Sequence, residues 1–194
     1  MTVERTDHEL LLACRVGHED AARHLYARLG PVLLAYARTI LHDRGRAEDA
    51  VQSAMCTIYK LPVRRLKDVR DVKAWLMRTV RNEALMLLRT DRRAAAREEE
   101  HARRSRSGAQ RADADGLDDV HRAIESLPLE LREIVVMKHS SGMTFEQMAE
   151  ATGQNRNTIA SRYRTALQQL RALMGVESGT ARRGDAGSTR REVV

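Results

Sequence analysis

Residues 94–116 read AAAREEEHARRSRSGAQRADADG and carry no apolar side chain larger than alanine. Such a stretch buries too little to offset roughly 1–2 kcal/mol of backbone entropy per ordered residue. It therefore cannot run through a core, and it divides the chain into two blocks, about 6–93 and 117–174. Residues 94–116 are expected to be a flexible linker whose first part could extend a helix. Residues 175–194, GVESGTARRGDAGSTRREVV, read by the same logic as a disordered tail.

Both blocks carry the helical period and neither carries strand alternation. Leu33, Tyr36, Ala37, Ile40 and Leu41 fall at i, i+3, i+4, i+7 and i+8. Ala47, Ala50, Val51, Ala54, Met55 and Ile58 repeat the pattern, and Val72, Leu76, Val80 and Leu87 do so more loosely. Breaks are expected at Gly30-Pro31, at Asp43–Gly45 and in a loop around Pro62. In the second block Leu127-Pro128 opens a helix lined by Leu131, Ile134 and Val135, which Ser140-Ser141-Gly142 ends. Thr144 and Gln147 form a capping box, Thr152-Gly153-Gln154 is a turn, and Asn155 caps a last helix. The buried stripe of that helix is Ile159, Tyr163, Ala166, Leu167, Leu170 and Met174. The fold class is all-α, two small helical domains. Hydrophobic residues at 42% and aromatics at 3% suit small helical cores.

Charge narrows the function. Residues 60–93 hold eleven Lys/Arg against four acids, an excess equal to the net charge of +7 of the whole chain. Residues 154–171 carry Arg156, Arg162, Arg164 and Arg171 with no acid at all. Two local basic segments point to a polyanion, with nucleic acid first in line. No apolar run reaches the roughly 18 residues of a membrane span, and Met1–Glu9 is too polar for a signal peptide. Two cysteines make neither a disulfide framework nor a four-ligand zinc site, so a reduced, cytosolic protein is expected.

The segment from Phe145 onward has the build of a helix-turn-helix. Ala149 is small where two helices would cross, Gly153 sits in the turn, and Ile159 plugs the second helix into the core. That second helix would expose Arg156, Asn157, Ser161, Arg164 and Thr165, side chains able to bond base edges in a major groove. Arg162 and Arg171 are better placed for phosphates.

Over most of residues 7–174 the chain resembles a bacterial sigma factor of the extracytoplasmic-function type (ECF, group 4). The first part of the resemblance is GHEDAARHLYARLGPVLLAYARTIL, AEDAVQSAMCTIYKL and VKAWLMRTVRNEALMLLRTDRR, similar to the region-two helices. The second is AIESLPLELREIVVMKHSSGMTFEQMAEATGQNRNTIASRYRTALQQLRALM, similar to the region-four helix-turn-helix. The family lacks a third domain between the two, which fits the short linker.

The resemblance implies roles. Residues 6–93 would bind core RNA polymerase and the minus-ten element, and 117–174 the minus-thirty-five element. Asp49 and Gln52, with Glu48 beside them, would dock on the clamp coiled-coil of the polymerase β′ subunit, and the β flap would be a further contact on core polymerase. Asn82 matches a position that contacts a promoter base, with Arg78, Arg81 and Arg89 on backbone phosphates and Lys67 a further minus-ten DNA-binding residue. The loop 61–71 would capture an unpaired base without offering an aromatic. Trp75 lies on the apolar face and is expected to pack in the core rather than stack on DNA. Ala160 and Thr165 stand where the family often carries basic side chains, so the minus-thirty-five sequence does not carry over. Further partners are promoter DNA and an anti-sigma factor; no cofactor and no metal are expected. The mechanism is non-enzymatic: two tethered DNA-binding domains read elements at a set spacing, and strand opening draws on binding energy.

Two other classes compete. A stand-alone helix-turn-helix regulator would need a dimer interface and leaves the AEDAVQ helix unexplained. A metal-dependent nuclease would need convergent ligands, yet no H-E-x-x-H and no phosphate-cradling glycine loop occurs. Adjacent Glu48 and Asp49 diverge by about 100° on a helix.

Overall fold

A computed structural model describes residues 5–102 and 119–175, apart from the side chains of 92–102. Nine helices and no strand occur among the described residues. They are α1 (Asp7–Arg15), α2 (Glu19–Leu41), α3 (Arg44–Lys60), α4 (Val63–Lys67) and α5 (Val72–Ala102), then α6 (Asp119–Ser126), α7 (Leu129–His139), α8 (Phe145–Thr152) and α9 (Arg156–Leu173). The fold is all-α, as the periodicity indicates. The expected linker beyond residue 102 and the expected tail beyond 175 lie outside the described residues.

Helix α2 is the central pillar. Ala21, Leu25, Leu29, Leu33, Tyr36, Ala37 and Ile40 form one buried stripe, and α1, α3, α5 and α7 all pack on it. The break expected at Gly30-Pro31 is absent: α2 runs through both residues. Proline removes one helical hydrogen bond, and the long stripe on either side outweighs that loss. Gly30 has a packing reason, since a Cβ there would meet the Tyr26 ring at 3.2 Å. The helix ends in a left-handed His42, φ 53°, and Asp43 caps α3 through its bond to the Arg46 N–H at 2.8 Å.

Two further expectations need correction, at Pro62 and at Pro128. The loop around Pro62 contains the short helix α4, and α1 holds carbonyls on either side of Pro62: Arg15 Nε donates to the oxygen of Leu61, the C-cap of α3, at 2.6 Å, and His8 Nε2 bonds the oxygen of Leu66 in α4 at 3.2 Å. Helix α5 continues beyond 93 to Ala102, the extension that the start of the interval allows, because nothing in AAAREEEHA breaks a helix. Pro128 is the N-cap of α7 rather than a first-turn residue.

The two blocks do not keep separate cores: Ile134, Met137, Met143, Met148, Ala151 and Ile159 of the second join the main cluster built on α2, α3 and α5. Helix α8 packs on α5 and α7 on α2. Only Leu127, Leu131, Val135 and Ala166 make a small cluster of their own. Trp75 is half-buried and packs on the main cluster, as its place on the apolar face indicates. Met174, expected in the last stripe, is exposed where α9 runs past its neighbours.

Pro31 is itself exposed, so Pro31→Ala restores a helical bond without disturbing the core. It is expected to raise stability by about 2–3 kcal/mol, read by urea unfolding. An unchanged or lower midpoint would mean that the bend at proline is needed by the packing.

Candidate functional site

Three surfaces collect the candidate residues. On α3, Glu48, Asp49 and Gln52 are exposed. Glu48 accepts from Arg44 Nε at 2.8 Å, a one-turn pair on the surface. Glu48 and Gln52 form one wall of a groove of about 540 Å³; the other is Ala22, Arg23, Tyr26 and Ala27 of α2, with Met55 at the end. Tyr26 is 48% exposed, a large ring left at the rim. An acidic and polar edge beside an apolar trough suits a protein partner carrying basic and apolar side chains. Tyr26 and Met55 were not singled out from sequence as parts of this face; only the approach of α2 to α3 brings them there.

The basic helix α5 divides its cations. Arg78, Asn82 and Arg89 fall within about 40° of one another around the axis and are all exposed. Arg81 points elsewhere. Its Nε and Nη2 donate to the two carboxylate oxygens of Glu133, at 2.9 Å each. The Tyr36 hydroxyl donates to the same carboxylate at 3.0 Å. Glu133 is 1% exposed, so the triad lies inside the contact between α2, α5 and α7. Its hydrogen bonds to Glu133 hold the Arg81 guanidinium above its usual pKa, firmly charged. Burial, then the Glu133 charge, pushes the Tyr36 phenol well up, so it stays a donor. Lys67 lies against α1, lining a cleft with Arg5, Glu9 and Val63 rather than joining the α5 face.

Helix α9 presents the third surface. Asn157, Ser161, Arg164 and Thr165 are exposed and span about 100° opposite buried Ile159 and Ala166. Arg156 and Arg162 flank this sector. Arg162 Nη1 donates to Gln154 Oε1 at 2.9 Å, and Arg156 pairs with Glu146. That second pair is open to water, so breaking it costs little. The helix is positioned as the sequence indicates: Thr144 and Gln147 make the capping box, Gly153 caps α8 at φ 69°, and Asn155 caps α9. Phe145 and His139 meet Tyr163 with ring centroids 5.6 and 5.9 Å apart, fixing α9 on α7 and α8.

Comparison with known proteins gives the family. Residues 25–94 match the family described as Sigma-70 region 2, and residues 117–170 match Sigma-70, region 4. The chain is 30% identical to the ECF RNA polymerase sigma factor SigM of Mycobacterium tuberculosis over 174 residues, 89% of this chain and 86% of that protein. The chain belongs to the ECF sigma factor family. As a sigma factor it directs transcription initiation at RNA polymerase. It is 23% identical to the RNA polymerase sigma factor SigV of Bacillus subtilis over 91% of this chain and 98% of SigV. Among solved structures it is similar to the sigma factor RpoE in complex with the anti-sigma factor NepR from Bartonella quintana, with a TM-score of 0.59 and 25% identity over 80% of this chain and 98% of that one. The fold is also that of CnrH in complex with the cytosolic domain of CnrY, with a TM-score of 0.62 and 24% identity over 89% and 99% of the two chains. No described helix of this sigma factor is long and apolar enough to cross a membrane.

Nothing lies within 4 Å of a Cβ built on Gly153, so a side chain there meets only backbone strain. Gly153→Ala is expected to cost about 1–2 kcal/mol of stability, measured by urea unfolding. No loss would show that the turn between α8 and α9 relaxes to negative φ.

Proposed function

We propose that this ECF sigma factor, of group 4, docks on core RNA polymerase through the α3 groove and reads promoters with α5 and α9. The observation that carries the reading is the join of an exposed polar edge, Glu48, Asp49 and Gln52, to an apolar trough rimmed by Tyr26 and Met55. A helical partner with basic and apolar side chains fits that shape. By resemblance the partner is the clamp coiled-coil of the β′ subunit, with the β flap taking the second block. The two blocks, about 6–93 and 117–174, act as the region-two and region-four units. The short interval between the two matched regions supports the group 4 assignment.

On α5, Asn82 would contact a promoter base, with Arg78 and Arg89 one turn or more away on neighbouring phosphates. Arg81 and Lys67 belong to the same proposed set. On α9, Asn157, Ser161, Arg164 and Thr165 face base edges of the minus-thirty-five element, and Arg156 and Arg162 stand at the flanks for backbone contacts. The protein performs no nucleotide chemistry; holding the unpaired strand supplies the free energy of opening. The working compartment is the cytoplasm, and an anti-sigma protein is a further partner.

Co-elution of the full chain with bacterial core polymerase on gel filtration tests the docking face. Stoichiometric co-elution is expected, lost in Asp49→Ala/Gln52→Ala while circular dichroism stays unchanged. Undiminished association of the folded double variant would remove α3 from the interface. Failure of the unaltered chain to associate, with tight binding to duplex DNA alone, would favour a stand-alone regulator.

A second test separates readout from anchoring. Arg164→Ala is expected to lose about 1–3 kcal/mol of discrimination at one base position. Arg162→Ala should weaken all sequences alike and flatten the salt dependence. Uniform weakening by Arg164→Ala would reassign Arg164 to a phosphate.

A further inference from the structure

The two arginines that flank the exposed sector of α9 are held by partners of different charge. Arg156, in the first turn of α9, pairs with the Glu146 carboxylate of α8, so its charge is balanced on the protein. Arg162 instead donates from Nη1 to the neutral amide of Gln154, whose Oε1 accepts at 2.9 Å. The remaining N–H groups of Arg162 meet no acceptor among the described residues, and no carboxylate pairs with it there. One arginine is thus neutralised where it stands, and the other is held in place with its charge intact.

Gln154 is a firm support because the backbone around it is fixed on both sides. It lies between Gly153, the left-handed C-cap of α8 at φ 69°, and Asn155, the N-cap of α9. The N–H groups of Gly153 and Gln154 both donate to the Ala149 oxygen, the second at 3.1 Å, and the Asn155 side chain accepts the Asn157 N–H at 2.8 Å. Arg162 leaves α9 between buried Ile159 and Ala166. A long side chain on a helix runs back over the preceding turn, which carries this guanidinium toward the N-terminal end of α9. That is the end a recognition helix presents to DNA. Both Gln154 and Arg162 are half-buried. A guanidinium only donates, so the amide must present its oxygen to Arg162.

We infer that Gln154 is a positioning residue for DNA binding: its neutral amide braces Arg162 for a backbone phosphate without cancelling the charge. The inference rests on the reading of α9 as a DNA-binding helix. A loose arginine loses rotamer freedom when it grips an anion, whereas a braced one has lost much of that freedom on folding. A carboxylate at position 154 would hold Arg162 as firmly but neutralise it. An apolar side chain would leave it charged but loose. Glutamine avoids both faults. The Arg156–Glu146 pair gives the contrast on the opposite flank, since Arg156 must part from its carboxylate before it meets a phosphate at full charge.

Phosphate contacts are independent of sequence, so a short mixed-sequence DNA duplex is a sufficient probe. Fluorescence anisotropy of the full chain with that duplex, over a series of salt concentrations, gives the affinity and its salt slope. Gln154→Met keeps the length of the side chain and removes the acceptor. It is expected to weaken binding about fivefold and to keep the slope, because the charge of Arg162 stays. Gln154→Glu keeps an acceptor and adds a charge. It should bind more weakly still and lower the slope by about one, as Arg162→Ala does. In an Arg162→Ala background, Gln154→Met should have no further effect. Urea unfolding reads the fold separately: a merely structural Gln154 would shift the unfolding midpoint and weaken binding by the same factor with or without Arg162. The brace would be overturned by unchanged binding in Gln154→Met, by a loss that persists in the Arg162→Ala background, or by Gln154→Glu binding as tightly as the unaltered chain. If Arg162→Ala itself leaves affinity and slope unchanged, the DNA-binding reading of this flank of α9 fails. If Arg162→Ala weakens binding and Gln154→Met does not, that reading stands and the brace alone fails.

Discussion

The arrangement depends on the burial of one face of α2. Its stripe from Ala21 to Ile40 is the surface on which α1, α3, α5 and α7 converge. Each buried leucine or isoleucine there contributes on the order of 1.5–3 kcal/mol, so an unbroken stripe outweighs the missing bond at Pro31. The continuity has a functional consequence. Tyr26 near one end of α2 rims the α3 groove, and Tyr36 nearer the other reaches Glu133. A single rigid rod thus ties the proposed polymerase-docking face to the junction between the two regions.

That junction combines apolar and ionic terms of opposite kind. Met137, Met143 and Met148 supply apolar contact that is adaptable rather than sharply shaped. Glu133 is a charge taken out of water, tolerable only because three donors replace the water it lost. A buried ion pair of this sort adds little net stability compared with apolar packing, yet separating its members inside the contact is costly.

Much of the helix-turn-helix was legible in the sequence because its signals are local. The capping box at Thr144 and Gln147, the turn at Gly153 and the cap at Asn155 act within four residues of chain, and each lies where its chemistry requires. The exposed sector of α9 follows from the same period. The triad was not legible, since Tyr36, Arg81 and Glu133 lie far apart in sequence and each looks ordinary alone. One signal was present: in the run EIVVM, Glu133 stands beside four apolar residues, of which Ile134, Val135 and Met137 are buried with it. Pro31 misled for the opposite reason. Local propensity marks a break, and the tertiary stripe overrides it.

Acting alone, the sequence determined the all-α class, the basic character of α5 and α9, the caps and the exposed polar edge of α3. All of these follow from residue chemistry and helical period over a turn or two. Only the tertiary structure decided that the two blocks share a core, that Tyr26 and Met55 complete the α3 groove, and that Arg81 faces a carboxylate while Arg78 and Asn82 face water. The reason is geometric. Periodicity tells which side of a helix is buried, but the partner that buries it is chosen by long-range packing, and for Arg81 that partner is Glu133, 52 residues away in sequence.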